Sequence, residues 1–198
     1  MTVLLRTWVK NMDTKKDIRK RVLSYRDSMD KKEWEENSRK IQDCVLTHPF
    51  FLESNIIYCY VDYRNEVGTK SIIKKAWELG KRVAVPKIEG EDMKFYYISD
   101  FSDLKEGYRG ILEPEGNVPA KDTHALVIMP GVAFDKNRNR IGYGKGFYDK
   151  FMDKHPTFHT IALAFECQML DAIDTDRFDY QPEILITEEN LYDEHITE

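Results

Sequence analysis

Residues 55–86 read NIIYCYVDYRNEVGTKSIIKKAWELGKRVAVP. The run 55–61 is β-branched and aromatic on both faces, which suits a strand buried between two layers. Thr69 stands where it can cap a helix over KSIIKKAWEL, and Gly80 marks the end of that helix. RVAVP (82–86) follows as a second buried strand. Strand, helix and strand in this order predict a right-handed crossover, and with it a parallel sheet covered by helices.

Upstream, DTKKDIRKRVLSYRDSM (13–29) sets Ile18, Val22 and Tyr25 four and seven residues apart, one apolar stripe on a helix with basic residues around it. Asp30 and Glu33 form a capping-box pattern for a second helix, which Trp34, Ile41 and Val45 continue to about Thr47, before His48-Pro49. Downstream, 93–98 predicts a strand and 99–120 an ordered, turn-rich surface loop. Further strands are predicted at 125–131, 160–165 and 183–187.

The 198 residues suit one domain. Residues 1–12 are set apart as an N-terminal extension, either native or a start-site artefact because Met12 offers a second start, with a weak organelle leader the lesser alternative, and 13–198 is expected to be the single domain. A net charge of -5 argues against a general grip on nucleic acid. Cys44, Cys59 and Cys167 form neither a disulfide framework nor a zinc pattern, so a reducing, cytoplasmic compartment is expected. No apolar run approaches the roughly 20 residues that cross a bilayer, so no membrane partner is expected. His48, His124, His155, His159 and His195 show no metal spacing.

Between two of the predicted strands lies NRNRIGYGKGFYDKF (137–151). Its glycines match neither a P-loop nor the dinucleotide fingerprint. Glycine has no Cβ and accepts positive φ, so successive N–H groups at Gly142, Gly144 and Gly146 can turn inward as an anion nest. A helix from about Lys145 to Lys154 would present its N-terminus to the same anion, and Arg138, Arg140 and Lys145 would add charge. Asp149 either balances these cations or holds Mg2+ on a nucleotide. Tyr143, Phe147 and Tyr148 could stack on a base or heterocycle. A tight β-turn in a solvated loop is the alternative.

The longer stretch MPGVAFDKNRNRIGYGKGFYDKF (129–151) resembles the signature of the 5-formyltetrahydrofolate cyclo-ligase (methenyltetrahydrofolate synthetase) family. KKDIR, NEVGT, GILEP and DYQPEILITE agree in order, so the resemblance spans about residues 15–188. It implies a three-layer α/β/α, Rossmann-like fold around a mainly parallel, mixed sheet. It also implies an ATP- and Mg2+-dependent reaction. The formyl oxygen of 5-formyltetrahydrofolate is phosphorylated, N10 attacks the activated carbon, and 5,10-methenyltetrahydrofolate, ADP and phosphate result. Such chemistry rests on alignment and charge neutralisation and needs no nucleophilic side chain.

The resemblance also carries roles. Arg140, Ile141, Gly142, Tyr143, Gly144, Lys145, Gly146, Phe147 and Tyr148 correspond to the ATP cradle, with Arg140, Lys145 and Tyr148 expected to be catalytic. Lys15, Lys16, Asp17, Ile18 and Arg19 correspond to the basic element that also reaches the nucleotide. Asp149 and Asp179 correspond to the Mg2+ ligands, Asp176 being easily confused with the second. Val61 and Glu66 correspond to folate contacts, completed by Tyr143 to Phe147, although many relatives carry arginine or glycine where Tyr143 stands. The small-molecule partners expected are 5-formyltetrahydrofolate and ATP, and the expected state is a monomer. Two rival readings are a sugar-phosphate isomerase or CoA-transferase relative and a non-catalytic folate- or nucleotide-binding protein.

Overall fold

The computed structural model describes residues 14–107, 110–116 and 118–194. The extension at 1–12 and His195 lie outside the described residues. Thr14 opens α1 (Lys15–Asp27) by accepting from the N–H of Asp17, whose carboxylate takes the Thr14 hydroxyl at 2.6 Å. Asp30 accepts from the N–H of Glu33 at 2.9 Å and opens α2 (Lys31–Thr47). Pro49 begins a short helix missed in the sequence, α3 (Pro49–Glu53), where its fixed φ suits the first turn.

The predicted βαβ unit is present as β1 (Ile56–Cys59), α4 (Lys70–Glu78) and β2 (Arg82–Glu89). β1 and β2 are parallel, with Ile57 opposite Val83. β2 runs past Pro86 because its far half pairs with β3 (Asp92–Ile98), antiparallel, beyond the reach of β1. Among the described residues of 99–120, two short strands form. β4 (Leu104–Glu106) and β5 (Leu112–Pro114) pair antiparallel, and Gly110 between them takes φ +80°. Three-residue strands are too short to show a period in the sequence.

The chain continues through β6 (Leu126–Met129), β7 (Ala133–Asp135), β8 (Arg140–Ile141), α5 (Phe147–Asp153), β9 (His159–Leu163), β10 (Met169–Leu170), β11 (Ile184–Ile186) and β12 (Leu191–Tyr192). The main sheet has the order β12-β11-β9-β6-β1-β2-β3, parallel at its centre with an antiparallel strand at each edge. This is the α/β fold with a mainly parallel sheet that the sequence predicts. A small sheet, β10-β7-β8, stands beside it.

Successive strand residues face opposite layers. Ile57, Val83 and Ile128 pack with Ile41, Phe51 and Ile73 under α2 to α4. Tyr58, Val127 and Met129 pack with Phe95, Phe151 and Met152 under α5 on the other side. Ile57, 0% exposed between two parallel neighbours, tests this packing. Ile57→Ala is expected to lower unfolding stability by about 2–5 kcal/mol, read from the urea midpoint at constant slope.

Helix α1 packs elsewhere, setting Ile18 and Val22 against Val132 and Ile141 by the small sheet. Its buried stripe corrects the sequence reading. Tyr25 is 46% exposed, and Arg26, at 2%, takes the inward place. Positions 18, 22 and 26 follow the i, i+4, i+8 row, a helical face as regular as 18, 22 and 25.

Candidate active site

β1 and β6 are parallel neighbours, so the segments that leave their carboxyl ends, 60–69 and 130–149, emerge on one side of the sheet. Loop 60–69 carries Val61 and Glu66. Val61 is 6% exposed and belongs to the core under α2 to α4. Thr69 fixes the loop from inside, its hydroxyl donating to the carbonyl of Tyr60 at 2.8 Å while its N–H donates to Asp62 Oδ1 at 2.9 Å. The indole of Trp34 holds the carbonyl of Glu66 at 2.7 Å.

The glycine ribbon leaves a hairpin of β7 and β8. Asp135 closes that hairpin by accepting from the backbone and side-chain amides of Asn139 at 2.9 Å each. Arg138, assigned in the sequence to phosphate, serves the fold instead. It is buried, and its guanidinium donates to the carbonyl oxygens of Pro182 and Asp193. In the ribbon itself Gly144 has φ +96° and Gly146 φ +65°. The N–H groups of Gly142 to Gly146 meet no acceptor among the described residues. The helix that follows begins at Phe147 rather than Lys145 and has seven residues.

Arg140 lies under the ribbon, 5% exposed. Its Nη2 donates to Asp149 Oδ1 at 2.6 Å, and its Nε is buried without a partner among the described residues. The Tyr148 hydroxyl is likewise buried and unpartnered, although the residue as a whole is half-buried. Buried polar groups are rarely left unmatched, so both atoms are available to a polar ligand. Ile141 is buried in the core, Phe147 packs against the core under α5, and Lys145 is exposed.

Helix α1 crosses the ribbon with one face. Arg19 Nε donates to the carbonyl of Gly142 at 2.7 Å. Lys15 Nζ pairs with Asp176 at 2.9 Å and Asp179 at 2.6 Å. Lys16 is exposed, Asp17 is occupied with the Thr14 cap, and Ile18 is buried in the α1 core. Of the five α1 residues singled out in the sequence, the fold thus brings Lys15 and Arg19 to the ribbon side.

Asp149 and Asp179 are brought together, because the N–H of Tyr180, next in chain to Asp179, donates to Asp149 Oδ1 at 3.0 Å. Burial resists the charge on Asp179, but the N–H of Asp176 and the Lys15 ammonium outweigh it and hold the carboxyl below its usual range. Asp149 Oδ2 and Asp179 Oδ1 have no hydrogen-bond partner among the described residues. Two carboxylates with a free oxygen each fit Mg2+, whose remaining positions are commonly filled by phosphate oxygens and water. No group of three His, Cys, Asp or Glu residues suited to a protein-only metal cage occurs among the described residues.

On the far side of the ribbon, the Tyr143 hydroxyl donates to Glu66 Oε1 and accepts from Arg26 Nη1 at 2.9 Å. The N–H of Tyr63 donates to Glu66 Oε2 at 2.9 Å. Burial raises the pKa of Glu66, while the Tyr143 hydrogen bond and the Arg26 charge oppose the rise. The Tyr143 hydroxyl is pushed up, by burial first and by Glu66 next. The sequence reading did not place Arg26 in this cluster, and the 18, 22, 26 spacing is the signal that could have found it.

Residues 11–188 match the model of the 5-formyltetrahydrofolate cyclo-ligase family. The chain belongs to that family. It is therefore an enzyme, and the isomerase-like and non-catalytic readings give way. The 5-formyltetrahydrofolate cyclo-ligase of Haemophilus influenzae is 32% identical over 133 residues, covering 62% of this chain and 70% of that protein. A probable cyclo-ligase of Caenorhabditis elegans is 29% identical over 153 residues, covering 72% and 74%. The NMR structure of 5,10-methenyltetrahydrofolate synthetase from Aquifex aeolicus superposes with a TM-score of 0.82 at 26% identity, covering 93% of this chain and 94% of that one. In cyclo-ligase terms, the segment from the MPG turn to Asp149 is thus the hairpin and ribbon described above. No helix among the described residues is long and apolar enough to cross a membrane.

Proposed function

We propose that this cyclo-ligase holds the phosphates of ATP on the amides of residues 142–146 and uses ATP to close 5-formyltetrahydrofolate into 5,10-methenyltetrahydrofolate. The observation that carries this reading is the row of unpartnered N–H groups beside the buried, unpartnered Nε of Arg140. Together they form a preformed donor set for an anion that a solvated turn would not bury. Arg19 and Lys145 add further positive charge, and Glu66 offers a carboxylate to the N–H donors of a pterin.

In this reading the γ-phosphoryl group passes to the formyl oxygen, the bond to the β-phosphate oxygen breaks, and ADP is left. The N10 lone pair then forms a bond to the formyl carbon, the carbon–oxygen bond to phosphate breaks, and the N10 proton passes to solvent. Arg140 and the ribbon amides stabilise charge on the moving phosphoryl group, and no side-chain nucleophile takes part. Because the second step is intramolecular, orientation of the folate contributes directly to rate. Asp149 and Asp179 would hold Mg2+, which supplies neutralisation of the phosphate charge.

Purified protein mixed with ATP, Mg2+ and 5-formyltetrahydrofolate is expected to develop the near-ultraviolet absorbance of the methenyl product, and omission of any one component should abolish it. No absorbance in the complete mixture would overturn the reading. Asp179→Asn is expected to raise the Mg2+ concentration for half-maximal rate by about tenfold or more, the scale of one charge-assisted contact. Its KM for 5-formyltetrahydrofolate should stay unchanged, and an unaltered Mg2+ curve would remove Asp179 from the metal site.

A further inference from the structure

Arg26 is 2% exposed, yet its guanidinium is not used up by its own helix. Nη1 donates to the Tyr143 hydroxyl at 2.9 Å, the guanidinium carbon lies 5.9 Å from the Tyr143 ring centroid, and Nε is buried without a partner among the described residues. Asn65, next to Glu66, donates to the Arg26 carbonyl at 3.1 Å and ties the end of α1 to the Glu66 loop. A charge this deep is costly unless an opposite charge accompanies it.

The opposite charge is Glu66, 8% exposed and bridged to Arg26 by the Tyr143 hydroxyl. The other groups acting on Glu66 are the Tyr63 N–H, Asp62, Tyr60 and Tyr148, and Asp27 and Cys167 lie near Arg26. Burial works most strongly against a charge on Glu66, and Asp62 adds to it, while the Tyr143 hydroxyl, Arg26 and the Tyr63 N–H favour the charge.

We infer that Arg26 is a positioning residue of the folate half-site, holding Glu66 as a carboxylate, by way of the Tyr143 hydroxyl, for the N–H donors of a reduced pterin. The inference rests on the reaction proposed above. Each Glu66 oxygen accepts one hydrogen bond, Oε1 from the Tyr143 hydroxyl and Oε2 from the Tyr63 N–H, and keeps a second lone pair for a pterin N–H. Arg26 remains the counter-charge of Glu66 through the Tyr143 hydroxyl. The same face of α1 presents Lys15 and Arg19 to the nucleotide side, so one helix aligns both substrates.

Arg26→Gln keeps most of the reach and removes the charge. Its KM for 5-formyltetrahydrofolate is expected to rise about tenfold or more, one pKa unit or more of lost preference for ionised Glu66, with the KM for ATP unchanged. Its kcat/KM for the folate should climb as pH rises, because Glu66 must then lose its proton unaided, over a range where the wild type is flat. Arg26→Lys should restore most of the folate KM, and adding Glu66→Gln should abolish the pH dependence. An unchanged folate KM and pH profile in Arg26→Gln, or an equal rise in both KM values, overturns the inference.

Should Arg26→Gln fail to fold, carbon-13 NMR of the Glu66 carboxyl in the wild type decides instead. An ionised carboxyl at pH 7 is expected, and a protonated one overturns the inference. The wild-type rate separates the two levels. Turnover in the wild type beside unaltered folate kinetics in Arg26→Gln defeats only the role of Arg26, whereas no wild-type turnover defeats the proposed reaction.

Discussion

Arg140→Met is expected to lower kcat/KM for ATP by about two orders of magnitude while the protein still folds. The guanidinium would lose charge-assisted contacts to phosphate worth about 1.5–3 kcal/mol, and each 1.36 kcal/mol is a factor of ten. It would also leave Asp149 without its partner at 2.6 Å. The Asp149 side chain keeps 21% exposure against 3% for Arg140, so water can take over part of the lost contact. The stability loss should therefore fall below the roughly 3–5 kcal/mol typical of breaking a fully buried pair. Steady-state kinetics with ATP varied, beside a urea titration, separates the two effects. Unchanged ATP kinetics would place Arg140 in the fold alone. Lys145 is the control, because its exposed side chain makes no ion pair among the described residues, and Lys145→Ala should leave the urea midpoint unmoved.

Gly144→Val should abolish measurable ATP binding at concentrations that saturate the wild type, while the far-ultraviolet circular dichroism stays the same. Residue 144 has φ +96°, where a β-branched side chain is an outlier costing on the order of 1–3 kcal/mol. A Cβ there would also lie 3.4 Å from Arg19 Cζ, and two further methyl groups would press on that guanidinium. The ribbon can relieve this by turning its amides away from the nest, which removes the donors that phosphate needs. Residue 144 is exposed, so the core has no reason to unfold. Calorimetric titration with ATP reads the outcome, and wild-type affinity in the variant would show that the ribbon amides do not hold the phosphates.

Much of this was legible from local pattern. The buried strands around 57, 84, 127, 162 and 185 announced themselves as apolar runs because a central parallel strand is covered on both faces. The glycine spacing in 142–146 pointed to a close backbone approach because only residues without a Cβ permit it. Pattern was weaker where the governing interaction lies far away in sequence. Arg138 reads as one more loop cation, and only the arrival of the 182–193 segment turns it into a buried clamp on two carbonyl oxygens. The β4–β5 pair and the small sheet consist of strands too short to carry a period, and β10 exists as a strand because β7, distant in sequence, supplies its partner.

The sequence by itself determined the α/β class, the mainly parallel sheet and the ribbon's freedom of backbone, since these follow from side-chain periodicity and from the absence of a Cβ. Tertiary structure alone decided which distant side chains meet. Lys15 reaches Asp179 across 164 positions and Arg26 reaches Tyr143 across 117, distances over which no local period can choose a partner. Helix α1 could present residue 25 or residue 26 inward with equal regularity. Glu66 and Tyr143 on the facing segments supply partners for a buried guanidinium, and with them in place Arg26 is the residue that turns inward.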